Sequence, residues 1–254
     1  MIRELTDQCQ RTLVLSGIPQ RIVSLVPSQT ELLHALGLDE RVVGITRFCT
    51  HPDVWYRSKS RVGGTKDFDL EKIRSLNPDL ILANKEENDR EKIEQLATEF
   101  PVWISDVRTI DQAIQMILEV GKMTGQQTES EHIAMQIGTR LKLVSGQKPI
   151  RAAYLIWNKP LMTVGHDTFI HALMECAGYE NVFGSSTWRY PIITTEDLKM
   201  AQPDLLMLSS EPFPFQSSHK EDFQRLLPEK EIRMVDGRNW SWYGSALLEF
   251  DPLK

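Results

Sequence analysis

Seven aromatic residues crowd the last third of the chain: Trp188, Tyr190, Phe213, Phe215, Trp240, Trp242 and Tyr243. Flat apolar rings suit a large planar ligand, by area burial and offset stacking, although the same rings also serve to pack the edges of a domain. Trp240 and Trp242 alternate across Ser241, so one is expected to face inward and the other outward. Histidine is the natural axial ligand for a Co or Fe centre. His51 and His166 fall in predicted loops and are the candidates, whereas His34, His132 and His171 fall on helices and His219 in a polar loop. Cys49 lies beside His51, but one Cys and one His make no metal cage. The other thiols, Cys9 and Cys176, are far away in sequence, with no CxxC spacing, and read as buried or indifferent cysteines. Lys66, Lys85, Lys159 and Arg189 are candidates for meeting ligand carboxylates or phosphates. The motifs GxSxG, HExxH, GxGxxG and Walker A do not occur, and neither Asp236-Gly237 nor the Cys49/His51 pair has a readable catalytic partner.

The elements that must position these residues follow from the hydrophobic pattern. Arg21–Pro27 is a short run rich in β-branched residues and reads as a buried strand. Ser28-Gln29-Thr30-Glu31 then offers capping residues and an acid for a helix that stops at Gly37. Strands are predicted at Val42–Thr46, Pro78–Ala83 and Val102–Ser105, with helices at Asp69–Leu76 and Asp89–Glu99 between them. From Thr109 to about Ser145 only helical periodicity is found, loosened at Gly121 and Gly125, which reads as a connector. Alternation resumes with strands at Arg151–Trp157, Pro203–Leu208 and Ile232–Val235, and helices at Thr168–Ala177, Thr195–Ala201 and Glu221–Leu227. Such alternation implies parallel sheets covered by helices on both faces. The predicted organisation is a lobe at residues 1–108, a helical connector at 109–147 and a second lobe at 148–254.

Parallel sheets bind ligands outside the carboxyl ends of their strands. That rule selects Pro27–Thr30, Phe48–His51, Gly63–Lys66 and Asn84–Glu87 in the first lobe. In the second it selects Trp157–Lys159, Ser185–Tyr190, Ser209–Phe215 and Asp236–Tyr243. One internal echo stands out. Glu71 precedes Pro78-Asp79 by seven residues, and Glu196 precedes Pro203-Asp204 by seven. Asp69 and Thr194 are placed to cap the two helices, and each Glu also suits the positive end of the helix dipole.

Composition narrows the class. The 254 residues are 41% hydrophobic and 25% charged, with a formal net charge of -6, which excludes the basic footprint of a nucleic-acid binder. No apolar run approaches the roughly 18 residues of a membrane span. The N-terminus, Met1–Asp7, lacks the basic start and apolar stretch of a signal peptide, leaving a cytoplasmic location open.

Arg21–Ser28, the Gly44-Ile45-Thr46 strand and the paired Glu-to-Pro-Asp echoes, in this order, resemble the helical-backbone periplasmic binding proteins. These are the cobalamin, siderophore and haem receptors of ABC-type importers. The resemblance runs from Asp7 to Gly244, and Arg47–Pro52, with an aromatic residue and a proline, looks most like the vitamin B12 receptor branch. It implies an α/β fold of two Rossmann-like lobes with parallel-type sheets joined by a long backbone helix. It also implies a ligand cleft between the lobes and little closure on binding. The implied function is non-catalytic: a monomeric substrate-binding protein with no intrinsic cofactor. Its ligand would be a Co or Fe chelate, a corrinoid such as cobalamin first, otherwise haem or an iron–siderophore. Its partners would be the membrane subunits of an ABC permease, and its location periplasmic. The implied ligand contacts are Phe48, Thr65, Lys66, Trp188, Tyr190, Trp240, Trp242 and Tyr243. Phe48 and Tyr190 match ring contacts by position, while Thr65 falls where the B12 receptor has a tryptophan. Glu71 and Glu196 match the acids that dock onto permease arginines. Family members continue into a full helix after the position of Ser245, whereas here Ala246–Phe250 runs only to Asp251-Pro252. A cytoplasmic metal-cofactor carrier, sensor or enzyme on the same architecture is the competing expectation.

Overall fold

The computed structural model describes residues 2–144 and 149–253. The chain divides into two compact units. The first comprises Met1–Val107, Asp111–Met135 and Tyr243–Ala246, and the second Arg108–Ile110, Gln136–Trp242 and Leu247–Lys254.

The first unit opens with an antiparallel hairpin, β1 (Arg3–Thr6) and β2 (Thr12–Leu15), which the sequence pattern did not predict. There follow β3 (Ile22–Ser24), α1 (Pro27–Ala35), β4 (Val42–Ile45), α2 (Asp53–Ser58), β5 (Ser60–Arg61), α3 (Leu70–Ser75), β6 (Leu80–Asn84), α4 (Arg90–Ala97) and β7 (Val102–Ser105). The five strands after the hairpin form one parallel sheet in the order β5-β4-β3-β6-β7. Every residue of β3, β6 and β7 is buried, as a sheet covered on both faces requires. Gly44 in β4 admits close packing, since a Cβ there would come within 2.6 Å of Leu76 at the end of α3. Helix α1 starts one residue earlier than expected and without a side-chain cap. Pro27 takes the first helical position, where its fixed φ and missing N–H are no loss.

Two consecutive helices, α5 (Ile110–Thr124) and α6 (Gln127–Val144), occupy the predicted connector. Gly121 does not loosen α5. It lets α6 approach, because a Cβ there would lie 2.0 Å from the Ser130 hydroxyl. Gly125, at φ 73°, ends the helix in the left-handed conformation. The predicted end of the connector at residue 147 lies outside the described residues.

The second unit contains β8 (Ile150–Trp157), β9 (Met162–Thr163), α7 (Phe169–Cys176), β10 (Tyr179–Asn181), α8 (Thr195–Ala201), β11 (Leu205–Ser209), α9 (Ser217–Leu226), β12 (Glu231–Val235) and α10 (Gly237–Ser241). Its parallel strands run in the order β10-β8-β11-β12, and β9 pairs antiparallel with β8. A core of Ala153, Leu155, Leu198, Leu206, Leu208, Phe223 and Ile232 holds the helices to the sheet. The echo seen in sequence is structural: α3 leads to β6 as α8 leads to β11. Asp69 accepts the Lys72 N–H at 3.1 Å, and Thr194 forms a reciprocal capping box with Asp197. α10 stands where a loop was expected. Asp236 caps it, its carboxylate accepting the Arg238 N–H at 3.0 Å, and the buried Trp240 anchors it.

Candidate functional site

In each sheet the loops after the strands gather at the carboxyl edge. In the first unit these loops rest on a buried polar lattice. Ser105 Oγ receives the Gln29 amide at 2.6 Å and the Asn84 amide at 3.0 Å. Asn88 accepts the Asn84 N–H at 2.7 Å and donates to the carbonyls of Leu25 and Thr65 at 3.2 and 2.9 Å. The carboxyl-edge segments after β3, β5, β6 and β7 are thereby tied together. The amide side of Gln29 is tied into this network, while its buried Oε1 has no hydrogen-bond partner.

On this lattice stand the predicted contacts. Phe48 is 49% exposed, with the Arg47 guanidinium 5.1 Å from its ring centroid and Arg47 paired to Asp67 at 2.9 Å. Thr65 is half-buried and held through its carbonyl. Lys66 is exposed, but its ammonium already donates to the Glu86 and Asn88 carbonyls, at 2.5 and 3.1 Å. Lys85, another candidate for an anionic ligand group, is paired with Asp106 at 2.8 Å. Cys49 is fully buried, its thiol between the hydroxyls of Thr30 and Thr46 at 3.0 and 3.1 Å. Burial pushes its pKa up, against the two hydroxyl contacts, which lower it. Tyr243 belongs to this unit and is buried rather than open to ligand. Its hydroxyl donates to Glu87 at 3.3 Å, and burial raises its pKa.

In the second unit the loop 185–190 presents Trp188 at 75% and Tyr190 at 38% exposure. Gly165 lets this loop lie flat: a Cβ there would sit 2.2 Å from the Trp188 carbonyl, and the Gly165 N–H donates to Arg189 O at 2.7 Å. Asp167 accepts from Arg108 at 3.0 Å and faces Arg189 at 3.6 Å, while the Arg189 guanidinium stands 5.9 Å from the Tyr190 ring centroid. Trp157, the last residue of β8, meets Phe213 edge-on at 5.5 Å, and Phe213 meets Phe215 at 4.8 Å. Trp240 is a core residue. It is fully buried against Tyr154, Tyr179 and Phe250, which removes it from the ligand contacts. Trp242 is half-buried, its indole N–H donating to Glu211 Oε1 at 2.8 Å. Inward and outward fates thus alternate across Ser241. Glu211 was missed by a reading that weighed its loop for aromatics alone, although an acid two residues past an apolar strand satisfies the carboxyl-edge rule.

Of the two candidate histidines, His166 is the better prepared. Its Nδ1 lies 2.8 Å from the Ser186 carbonyl, which can only accept, so Nδ1 carries the proton and Nε2 of the neutral ring keeps a lone pair. His51 is exposed, with Nδ1 3.2 Å from the Thr50 hydroxyl, a partner that fixes no tautomer. Among the described residues no group of three His, Cys, Asp or Glu side chains could hold a metal ion, and no helix is long and apolar enough to cross a membrane.

Glu71 and Glu196 lie in the first turns of α3 and α8, with side chains 83% and 71% exposed. Each has a cation one turn on, Arg74 at 2.5 Å and Lys199 at 3.0 Å. A helix that precedes a parallel strand begins at the carboxyl edge of its sheet, so each acid stands at the same end of its unit as the aromatic loops.

A family model described as "Periplasmic binding protein" matches residues 22–231. The vitamin B12-binding protein of Pectobacterium atrosepticum is 28% identical over 202 residues, 76% of this chain and 72% of that protein. Among solved structures, the periplasmic haem-binding protein RhuT from Roseiflexus sp. RS-1 superposes with a TM-score of 0.78 at 23% identity, covering 91% of this chain and 95% of that one. The siderophore-binding protein BauB, bound to ferric iron and two molecules of acinetobactin, superposes with a TM-score of 0.81 at 17% identity, covering 98% and 95%.

Proposed function

The chain belongs to the periplasmic binding protein family, and from that premise we propose that it is the substrate-binding protein of an ABC-type importer, carrying a metal chelate in the periplasm. A corrinoid such as cobalamin is the first-ranked cargo, because the vitamin B12-binding relative matches over three quarters of the chain. Haem and ferric siderophores come next, since proteins of similar fold are described as binding them. The observation that carries the reading is Trp188, an indole left 75% exposed on a loop whose backbone is nevertheless clamped by Gly165 and Ser186. A backbone held in place lowers the ordering cost of covering that ring with a flat apolar ligand. With Tyr190, Trp157 and Trp242 it gives the second unit's carboxyl edge several flat faces, and Phe48 gives the first unit one.

His166 is the residue we assign to the open axial position of the bound metal, through Nε2. Glu71 and Glu196 are the acids we assign to permease docking. Their present partners are exposed i,i+3 cations, weakly held and readily exchanged for a permease arginine.

The test is a titration of the purified protein with cyanocobalamin, haemin and a ferric siderophore, followed by tryptophan quenching and, for haemin, by the Soret band. Saturable one-to-one binding of one chelate is expected, and for haemin a Soret shift that His166→Ala removes. Failure of all three to bind would overturn the reading.

A further inference from the structure

Glu211 has no part in the reading above, yet the surrounding chain is shaped around it. It follows β11 in Ser209-Ser210-Glu211-Pro212, and its side chain turns back beneath α10. Oε1 accepts the Trp242 indole N–H at 2.8 Å, and the Ser241 hydroxyl, which donates to the Gly237 carbonyl at 2.7 Å, lies 3.4 Å from it. Gly237 makes the room, for a Cβ there would come within 2.3 Å of Glu211 Cγ and 2.7 Å of Ser209 Oγ. The backbone is stitched at the same place. Ser209 Oγ donates to the Glu211 carbonyl at 2.5 Å, and the Gly237 N–H donates to Ser210 Oγ at 2.9 Å. The Arg238 guanidinium lies 5.7 Å from the Trp242 ring centroid. Two carboxyl-edge loops, after β11 and after β12, are thus locked together through one mostly buried carboxylate whose best hydrogen bond goes to an indole.

A buried carboxylate is an expensive acceptor, and a serine would cost less if only a loop needed tying. What the carboxylate adds is a strong, directional bond to Nε1 that fixes the plane of the ring. We infer that Glu211 is a positioning residue for ligand binding, holding the Trp242 indole in the orientation that receives the chelate before the chelate arrives. The inference rests on the receptor reading above and specifies how one of its walls is built. Without the bond, the ring would have to be ordered on binding, and ordering one side chain corresponds to about a three- to tenfold loss of affinity.

The experiment measures dissociation constants for cyanocobalamin and haemin with the full chain and its variants Glu211→Gln, Glu211→Leu, Trp242→Phe and the Glu211→Leu/Trp242→Phe pair, with unfolding midpoints as a check of folding. The indole N–H resonances are recorded alongside, that of Trp242 being identified by its loss in Trp242→Phe. Glu211→Leu is expected to weaken binding about three- to tenfold and to shift the Trp242 resonance. Glu211→Gln, which keeps a carbonyl acceptor, should restore both. In the Trp242→Phe background Glu211→Leu should have no further effect on affinity. Wild-type affinity in Glu211→Leu or in Trp242→Phe would overturn the inference. So would a Glu211→Leu loss that persists undiminished without the indole N–H, which would mark a merely structural role. If wild type binds neither probe, the receptor reading itself falls and takes this one with it. If wild type binds and the double-variant coupling is absent, only this inference falls.

Discussion

Trp240 and Trp242 stand two residues apart and carry different kinds of energy. Trp240 is wholly enclosed by Tyr154, Tyr179 and Phe250, so Trp240→Ala should cost about 3–5 kcal/mol of stability, read by urea unfolding. Trp188 is the converse. Trp188→Ala should leave stability within about 0.5 kcal/mol and weaken chelate binding by about 1–3 kcal/mol. An unchanged dissociation constant would remove Trp188 from the site. Glu211 yields a pH prediction. Burial raises its pKa above the ordinary 4.5, outweighing the bonds from Trp242 and Ser241. The folded chain therefore holds this proton more tightly than the unfolded chain. The contribution to stability is complete below about pH 4.5 and is lost as pH rises through the raised value. Glu211→Gln, neutral throughout, should match wild type near pH 4.5 and melt at a higher temperature than wild type at pH 8. An equal offset at both pH values would contradict this. In sequence, the alternation of the two tryptophans was readable. Which one was buried was not, because that depends on Tyr154, Tyr179 and Phe250, which the fold brings from distant positions. Tyr243 escaped for a related reason: aromatic character is visible in a sequence, whereas enclosure is not.

The paired helices α3 and α8 were the most legible elements, since a cap, an acid in the first turn and a Pro-Asp before the strand are all local signals. Thr194→Ala removes the side-chain half of the capping box, leaving the residue-194 N–H on Asp197, and should cost about 1 kcal/mol, measured as a shift in the urea midpoint with ligand affinity unaltered. A loss of affinity of comparable size would mean that α8 does more than support β11. Strands β3, β6, β7, β8 and β11 were legible because doubly covered parallel strands are continuous apolar runs. The two-residue strands β5 and β9 have no period to detect and exist only through their pairing with β4 and β8. α10 was hidden because Gly237 and Asn239 are poor helix formers. It is set by the Asp236 cap and the packing of Trp240, a tertiary override of propensity. At Gly121 the same residue that weakens a helix on intrinsic grounds instead serves the close approach of Ser130.

At the scale of the molecule, family membership and fold class were legible, because the order of strands, helices and echoed motifs extends along nearly the whole chain. Ligand identity was not. It depends on which loop side chains meet one cargo, and chains of similar fold are described as binding haem and a ferric siderophore. The docking assignment makes a whole-protein prediction. Glu71→Ala with Glu196→Ala should abolish association with permease-containing vesicles and leave chelate affinity as in wild type, because both acids are exposed and pair with Arg74 and Lys199 rather than with a residue of the aromatic loops. Equal loss of both activities would contradict it. The central claim is that carboxyl-edge loops bearing exposed aromatic rings meet the metal chelate, and amide hydrogen exchange with and without saturating chelate tests it most directly. The account predicts slowed exchange confined to residues 46–51, 157–159, 185–190 and 209–215 and to α10. Protection elsewhere, or none at saturating cyanocobalamin, haemin and ferric siderophore, would contradict it.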